Sequence, residues 1–244
     1  MKKQDLIFIL VALLLIFPFV PNSFLSGFQT EFLYNKEGNW WWAASFFKFA
    51  LLATMGESIG LRISAGVYNR KGFGLLPRAI VWGFLGIGIK MAFVVYAAGT
   101  PALVEKYFGV KGAIDSMKMK DFMEASANGL GGARLFTAFC ISAILNLTFA
   151  PVFMTYHKIT DTHIIDNGGT LAGFFKWIKL KDIFPRLNWS VQWNFIFKRT
   201  IPFFWIPAHT ITFLLPGEYQ ILFAAALGIV LGVIMSISNL KTTK

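Results

Sequence analysis

Three charged residues, Lys48, Glu57 and Lys90, stand inside stretches of sequence that are otherwise almost wholly apolar. A charge at the middle of a bilayer costs about 3 kcal/mol on insertion scales, so such residues are read first as functional. At 1.5 Å per residue of helix, Lys48 and Lys90 both lie roughly 20 Å from the basic segment between Arg62 and Arg78. Two ammonium groups at one depth repel each other in lipid, whereas a hydrated cavity that conducts or binds anions tolerates them. Lys48 has a second reading, because beside Trp40-Trp41-Trp42 its long stem allows it to snorkel to the outer headgroups. Glu57 is expected in a structural ion pair with Arg62 or Arg78. His209, set among Thr210 and Thr212, and Asn146 each have two readings as well, lining a polar path or closing an interhelical hydrogen bond.

Other combinations of reactive residue types carry less. His157, Asp161, His163 and Asp166 are ligand types, but they follow one another where an apolar run ends, and a lone H-x5-H spacing is unspecific. No metal and no cofactor is expected. Gly129-Leu130-Gly131-Gly132 lacks both the preceding strand and the Lys-Ser/Thr of a phosphate loop, so it reads as a flexible lead-in to a helix. No nucleophile elbow, zincin helix or triad pattern occurs, and an enzyme is not expected. Cys140 is the sole cysteine, which excludes an intramolecular disulfide and a multi-cysteine metal site. It reads as a small buried apolar filler.

The elements that would position these residues are apolar helices. Of 244 residues, 56% are hydrophobic and 14% charged, against about 45–50% and 25% in soluble domains. Such a chain has no stretch left for an independent soluble core, and an all-α, polytopic transmembrane bundle of six spans is expected. The first span runs from Leu6 to Val20 and reads as retained, since Pro21 to Ser26 offers no A-x-A-like cleavage site. After a link from Gln29 to Asn39, a second span runs to about Leu61 and a third from near Pro77 to about Ala98. The loop from Gly99 to Ala133 is followed by a fourth span, Leu135 to Tyr156. Residues 170–184 mix Leu171, Phe174, Phe175 and Trp177 with Lys176, Lys179 and Lys181, the pattern of a short interfacial amphipathic helix. The fifth span, 200–215, carries Pro202 and Pro207 and is expected to kink. Pro216-Gly217 turns the chain into the sixth span, 219–237. In domain terms, 1–38 is an added anchor and link, and 39–240 is the helical domain.

The net charge of +11 comes from basic residues between the apolar runs, with no separate basic helix of the kind that binds nucleic acid. Placing the N-terminus inside puts 15 Lys and Arg on inner segments and 6 on outer ones, as the positive-inside rule requires of a multi-pass protein with both termini cytoplasmic. No Arg- and Ser-rich amphipathic leader opens the chain, so the cell membrane is the expected location. The partners implied are the lipid bilayer and small solutes. Ala224, Gly228, Gly232 and Ser236 recur every fourth residue, a spacing that lets helix backbones approach closely and that also suits a homo-oligomer. Gly56 and Gly60 form a shorter version.

Several motifs occur in an order that resembles the family of Mpv-seventeen and the twenty-two-kilodalton peroxisomal membrane protein. Trp205-Ile206-Pro207 is similar to its Trp-Pro signature, and Pro216-Gly217-Glu218-Tyr219-Gln220 to its Val-Pro-x-x-Tyr-Arg. Gly56-Glu57 stands in the place of a Gly-Asp pair, Pro77 and Trp82 of a Gly-Pro-then-Trp-Tyr element, and Phe149-Ala150-Pro151 of a Phe-Ala-Pro-like element. Gln220 replaces the family's arginine, and Leu145-Asn146 its Asp-Gln pair. The resemblance runs from about Trp40 to Ser236 and implies a small, weakly selective membrane channel without catalytic residues. With the buried lysines, it makes a channel or facilitator for small anionic solutes the expected function, lined by Lys48, Lys90, Asn146 and His209. The rival expectation is a non-conducting membrane scaffold or assembly protein acting through its small-residue stripe.

Overall fold

The computed structural model describes residues 3–17 and 40–242, and every regular element among them is helical. The fold class is all-α. In order they are α1 (Lys3–Ile16), α2 (Trp41–Ala65), α3 (Leu75–Phe108), α4 (Ala113–Lys118), α5 (Phe122–Ala127), α6 (Gly131–Thr148), α7 (Ala150–Asp166), α8 (Leu171–Phe174) and α9 (Leu180–Ile183). A 3-10 turn (Phe184–Arg186), α10 (Trp189–Val191), a π-helix (Gln192–Trp205), α11 (Ile206–Leu214) and α12 (Gly217–Thr242) complete the chain. The proposed continuation of the first span beyond Phe17 and the link to Asn39 lie outside the described residues, as does the boundary at 38.

Two helices, α3 and α6, are long and apolar enough to cross a membrane, and Gln4–Leu15 and Gly217–Val230 are shorter apolar helices. α2 stops where the sequence supplies a stop. Gly66 takes a left-handed φ of 77° and its N–H returns to Arg62 O, a conformation that costs glycine nothing. The third apolar run does not end near Ala98. α3 passes through Gly99 and Pro101 to Phe108 because Val104 is fully buried against Ala113 and Cys140, and the left-handed residue that ends it is Gly109. The fourth run, expected to end at Tyr156, continues as α7 to Asp166 and is interrupted at Phe149, where Pro151 has no N–H to return to the preceding turn.

Two further expectations are corrected. Residues 170–184 do not form one amphipathic helix: α8 and α9 are four residues each, and Lys179, with ψ at 76°, is not helical. In place of a simple kink, the run with Pro202 widens into a π-helix, in which one more residue per turn accommodates the missing donor. π-Helical turns of this kind concentrate at functional sites.

The chain divides into two compact units, 1–87 with 161–178 and 221–244, and 88–160 with 179–220. In the first, Phe49, Leu52 and Ala53 of α2, Val81 and Leu85 of α3, Ile164 of α7, and Ala224 and Ala225 of α12 form the core. Small residues set its helix contacts: a Cβ on Gly56 would stand 2.8 Å from both Gly228 O and Ile229 Cα. Ala224 and Gly228 of the stripe therefore pack inside the chain. The surroundings of Gly232 and the side chain of Ser236 lie outside what the structure describes. In the second unit α11 lies along α6, around buried Phe93, Ile141, Leu145, Ile201 and Phe213.

The buried face of α6 mixes polar side chains with the apolar Ala138, Ile141 and Leu145. Thr137, Ser142 and Asn146 are at most 1% exposed, while Leu135, Phe136, Phe139 and Leu147 are 40–62% exposed. A helix in water turns its apolar stripe inward; a helix in lipid reverses that order, because its polar groups find partners only inside the protein.

Candidate functional site

Among the described residues, each unit brings buried polar side chains together. In the first unit, α2 presents Glu57, the first turns of α3 present Arg78 and Trp82, and α7 presents Asp161. Arg78 Nη1 donates to Glu57 Oε2 at 2.5 Å and is also ion-paired with Asp161. Arg78 Nε donates to Phe73 O at 2.7 Å, and the guanidinium lies over the Phe73 ring at 4.5 Å. Trp82 Nε1 donates to Glu57 Oε1 at 2.8 Å. One guanidinium thus meets two carboxylates through Nη1 and a carbonyl through Nε, two separated positions that a lone ammonium cannot occupy together. Of the two pairings expected for Glu57, the structure selects Arg78. Arg62 turns elsewhere: its Nε donates to Asp5 Oδ1 at 2.9 Å, Tyr68 donates to the same oxygen at 3.0 Å, and Phe8 stacks on Tyr68. Burial first, and then Asp5, hold the Tyr68 phenol above its ordinary pKa. Lys48 is 3% exposed, so it does not extend outward as a snorkelling side chain does.

No pattern in the sequence points to Asp161 as the second carboxylate on Arg78. It was one of four potential ligands, and the structure separates them by role: His163 instead meets Phe174 O and the Asn167 side chain. Among the described residues no three His, Cys, Asp or Glu come together as a metal-binding group.

In the second unit the cluster is built on α6 and α11. Asn146 Nδ2 donates to Ser142 O at 2.8 Å and lies 3.0 Å from His209 Nδ1, a contact in which the amide donates when the imidazole proton sits on Nε2. Ser142 Oγ donates to Ile206 O at 2.7 Å, one turn before His209. The imidazole ring is flanked by Trp205 at 5.1 Å and, edge-on, by Phe93 at 5.5 Å. Trp205 Nε1 is buried without a hydrogen-bond partner. Asn146 and His209 thus close an interhelical hydrogen bond, one of their two readings, next to the end of the π-helix. Lys90, on α3 in the same unit, is half-buried. Replacing Asn146 by Leu removes the donor that faces His209 and should cost about 1–3 kcal/mol. Adding His209→Phe should return part of that loss, and a double-mutant cycle on thermal midpoints measures it.

Arg134, counted among the outer charges by sequence, is 2% exposed. Its Nη1 donates to Ser116 O and Met119 O at 2.7 and 2.8 Å, tying the end of α4 to the start of α6. Arg134→Met should therefore loosen residues 113–120. Two lost charge-assisted bonds are worth about 1.5–3 kcal/mol each, so endoproteinase cleavage at Lys118 and Lys120 is expected to rise tenfold or more.

No family model, no curated protein and no solved structure matches the chain. Among the described residues the protein is all-helical, with two helices of membrane-crossing length.

Proposed function

We propose that the chain is an integral membrane protein of six spans, resident in the cell membrane with both termini cytoplasmic, that passes small anionic solutes with weak selectivity. The observation that carries this reading is α6, which buries Thr137, Ser142 and Asn146, the last against His209, while Leu135, Phe136, Phe139 and Leu147 lie exposed. Polar and ionisable groups held inside membrane helices mark solute paths. The π-helix and the unpartnered Trp205 N–H beside His209 add backbone irregularity and a spare donor at the same level of the chain. Lys48 and Lys90 supply the positive charge that would favour anions. The order of motifs that resembles the Mpv-seventeen family supports the same function. The scaffold alternative loses part of its surface, because Gly228 is already occupied by Gly56 within the chain.

The test is chloride entry into liposomes that enclose a chloride-quenched dye, with and without the reconstituted protein. Quenching several-fold faster than in empty liposomes, and slowed by His209→Leu, is the expected result. Equal rates with correctly folded protein would overturn conduction.

A further inference from the structure

Resting on the membrane reading above, we infer that the first unit carries a binding site for the phosphate headgroup of an anionic phospholipid in the cytoplasmic leaflet. The loops 66–74 and 167–170 meet there through backbone alone. Gly169 approaches Gly72 and Gly74 so closely that a Cβ on it would stand 2.7 Å from Gly72 O and from Gly74 N, and all three glycines have left-handed φ. Beside this junction lies a cleft of about 470 Å3 whose lining includes Asn69, Arg70, Lys71 and Thr170. Arg70 and Lys71 are exposed, and among the described residues none that lines the cleft is acidic. Two cations thus stand on one concave surface, and its volume is ample for a phosphate with its glycerol.

The apolar rim decides between a soluble anion and a lipid. Leu75, Leu76 and Leu171 line the same cleft and are 38–56% exposed. Phe175 and Trp177, a few residues beyond Leu171 in the same unit, are 76% and 89% exposed. A free phosphate has no use for exposed leucines, whereas acyl chains lie against them while the headgroup sits on the basic pair. Arg70 supplies a bidentate fork and Lys71 a point charge, the two ways in which side chains hold phosphate oxygens. In the proposed topology both loops face the cytoplasm, where anionic lipids attract basic residues. Arg78, although close in sequence, is already engaged by Glu57 and Asp161 and takes no part.

Native mass spectrometry of the full chain in detergent, titrated with dioleoylphosphatidylglycerol or dioleoylphosphatidylcholine, tests the site. Wild-type protein should retain the phosphatidylglycerol at least tenfold better than the phosphatidylcholine. The Arg70→Gln/Lys71→Gln variant should lose that preference, and Lys176→Gln, a cation outside the cleft, should keep it. Equal retention of the two lipids, or a preference that survives in the double variant, would overturn the proposal. Displacement of the phosphatidylglycerol by inorganic phosphate at millimolar concentration would show a soluble-anion site and overturn the lipid assignment. Alkaline carbonate extraction separates the two levels: a chain that remains in the pellet but lacks the lipid preference refutes this site alone, and a chain released to the supernatant refutes the membrane reading with it.

Discussion

Replacing Arg78 by Met is expected to lower the thermal midpoint by roughly 10 °C, at a cost of about 3–5 kcal/mol. The guanidinium is the cation shared by Glu57 and Asp161, and it also satisfies Phe73 O. Without it, two carboxylates are left facing each other in a buried setting where solvent screens them little. Removing one partner of a buried ion pair costs more than the pair itself contributes, because the remaining charge keeps its desolvation penalty. Arg78→Lys should recover only part of the loss, since its one nitrogen cannot stand both at Phe73 O, where Arg78 Nε donates, and between the two carboxylates met by Nη1. Adding Glu57→Gln to Arg78→Met should recover part as well, by removing one of the two stranded charges. Circular dichroism melts of the detergent-solubilised variants measure all three. An Arg78→Met protein that melts within 2 °C of wild type would show that the triad does not hold the first unit together.

Gly56→Leu is the second large effect, expected at about 3 kcal/mol from overpacking. The atoms that a Cβ would meet, Gly228 O and Ile229 Cα at 2.8 Å, belong to backbone. A flexible side chain could rotate away; a helix backbone cannot, so α2 and α12 must separate along their length. Gly56→Ala should show the same sign with a smaller loss, since even one methyl group lies inside contact distance. Gly88, a helical glycine with nothing within 4 Å of its Cβ position, is the matched control. Gly88→Ala should be neutral or stabilising by up to about 1 kcal/mol, the helix preference of alanine over glycine. Midpoints that fall equally for the two positions would mean that the close approach at Gly56 does not limit the packing.

Much of the fold could be read from the chain because apolar runs and backbone punctuation are local. Trp41 and Ala65 bound a helix that the sequence placed from Trp42 to about Leu61, and Leu75 begins another beside Pro77, where a proline is tolerated in a first turn. The pairing of Glu57 with Arg78 was within reach for the same reason: both stand at the ends of apolar runs joined by a short basic link. Asp161 was not within reach, because its arrival at Arg78 depends on how α7 packs, and no local pattern encodes a contact between residues so far apart. Arg134 failed for a related reason. An arginine just before an apolar run looks like a surface charge until α4 folds back and offers its carbonyls. The broken segment 170–184 is not legible because periodicity counts side chains, whereas the backbone at Phe175 and Lys179 decides whether the helix continues. The π-helix has no sequence signature beyond Pro202 itself.

Conduction is tested most directly by single-channel recording of the purified protein in planar bilayers under an anion gradient, beside a Lys48→Ala/Lys90→Ala variant. A membrane facilitator for small anions predicts discrete conductance with a reversal potential on the anion side, lost or inverted in the variant. A silent bilayer containing folded protein, or conductance whose anion preference is untouched by removing both lysines, would contradict it.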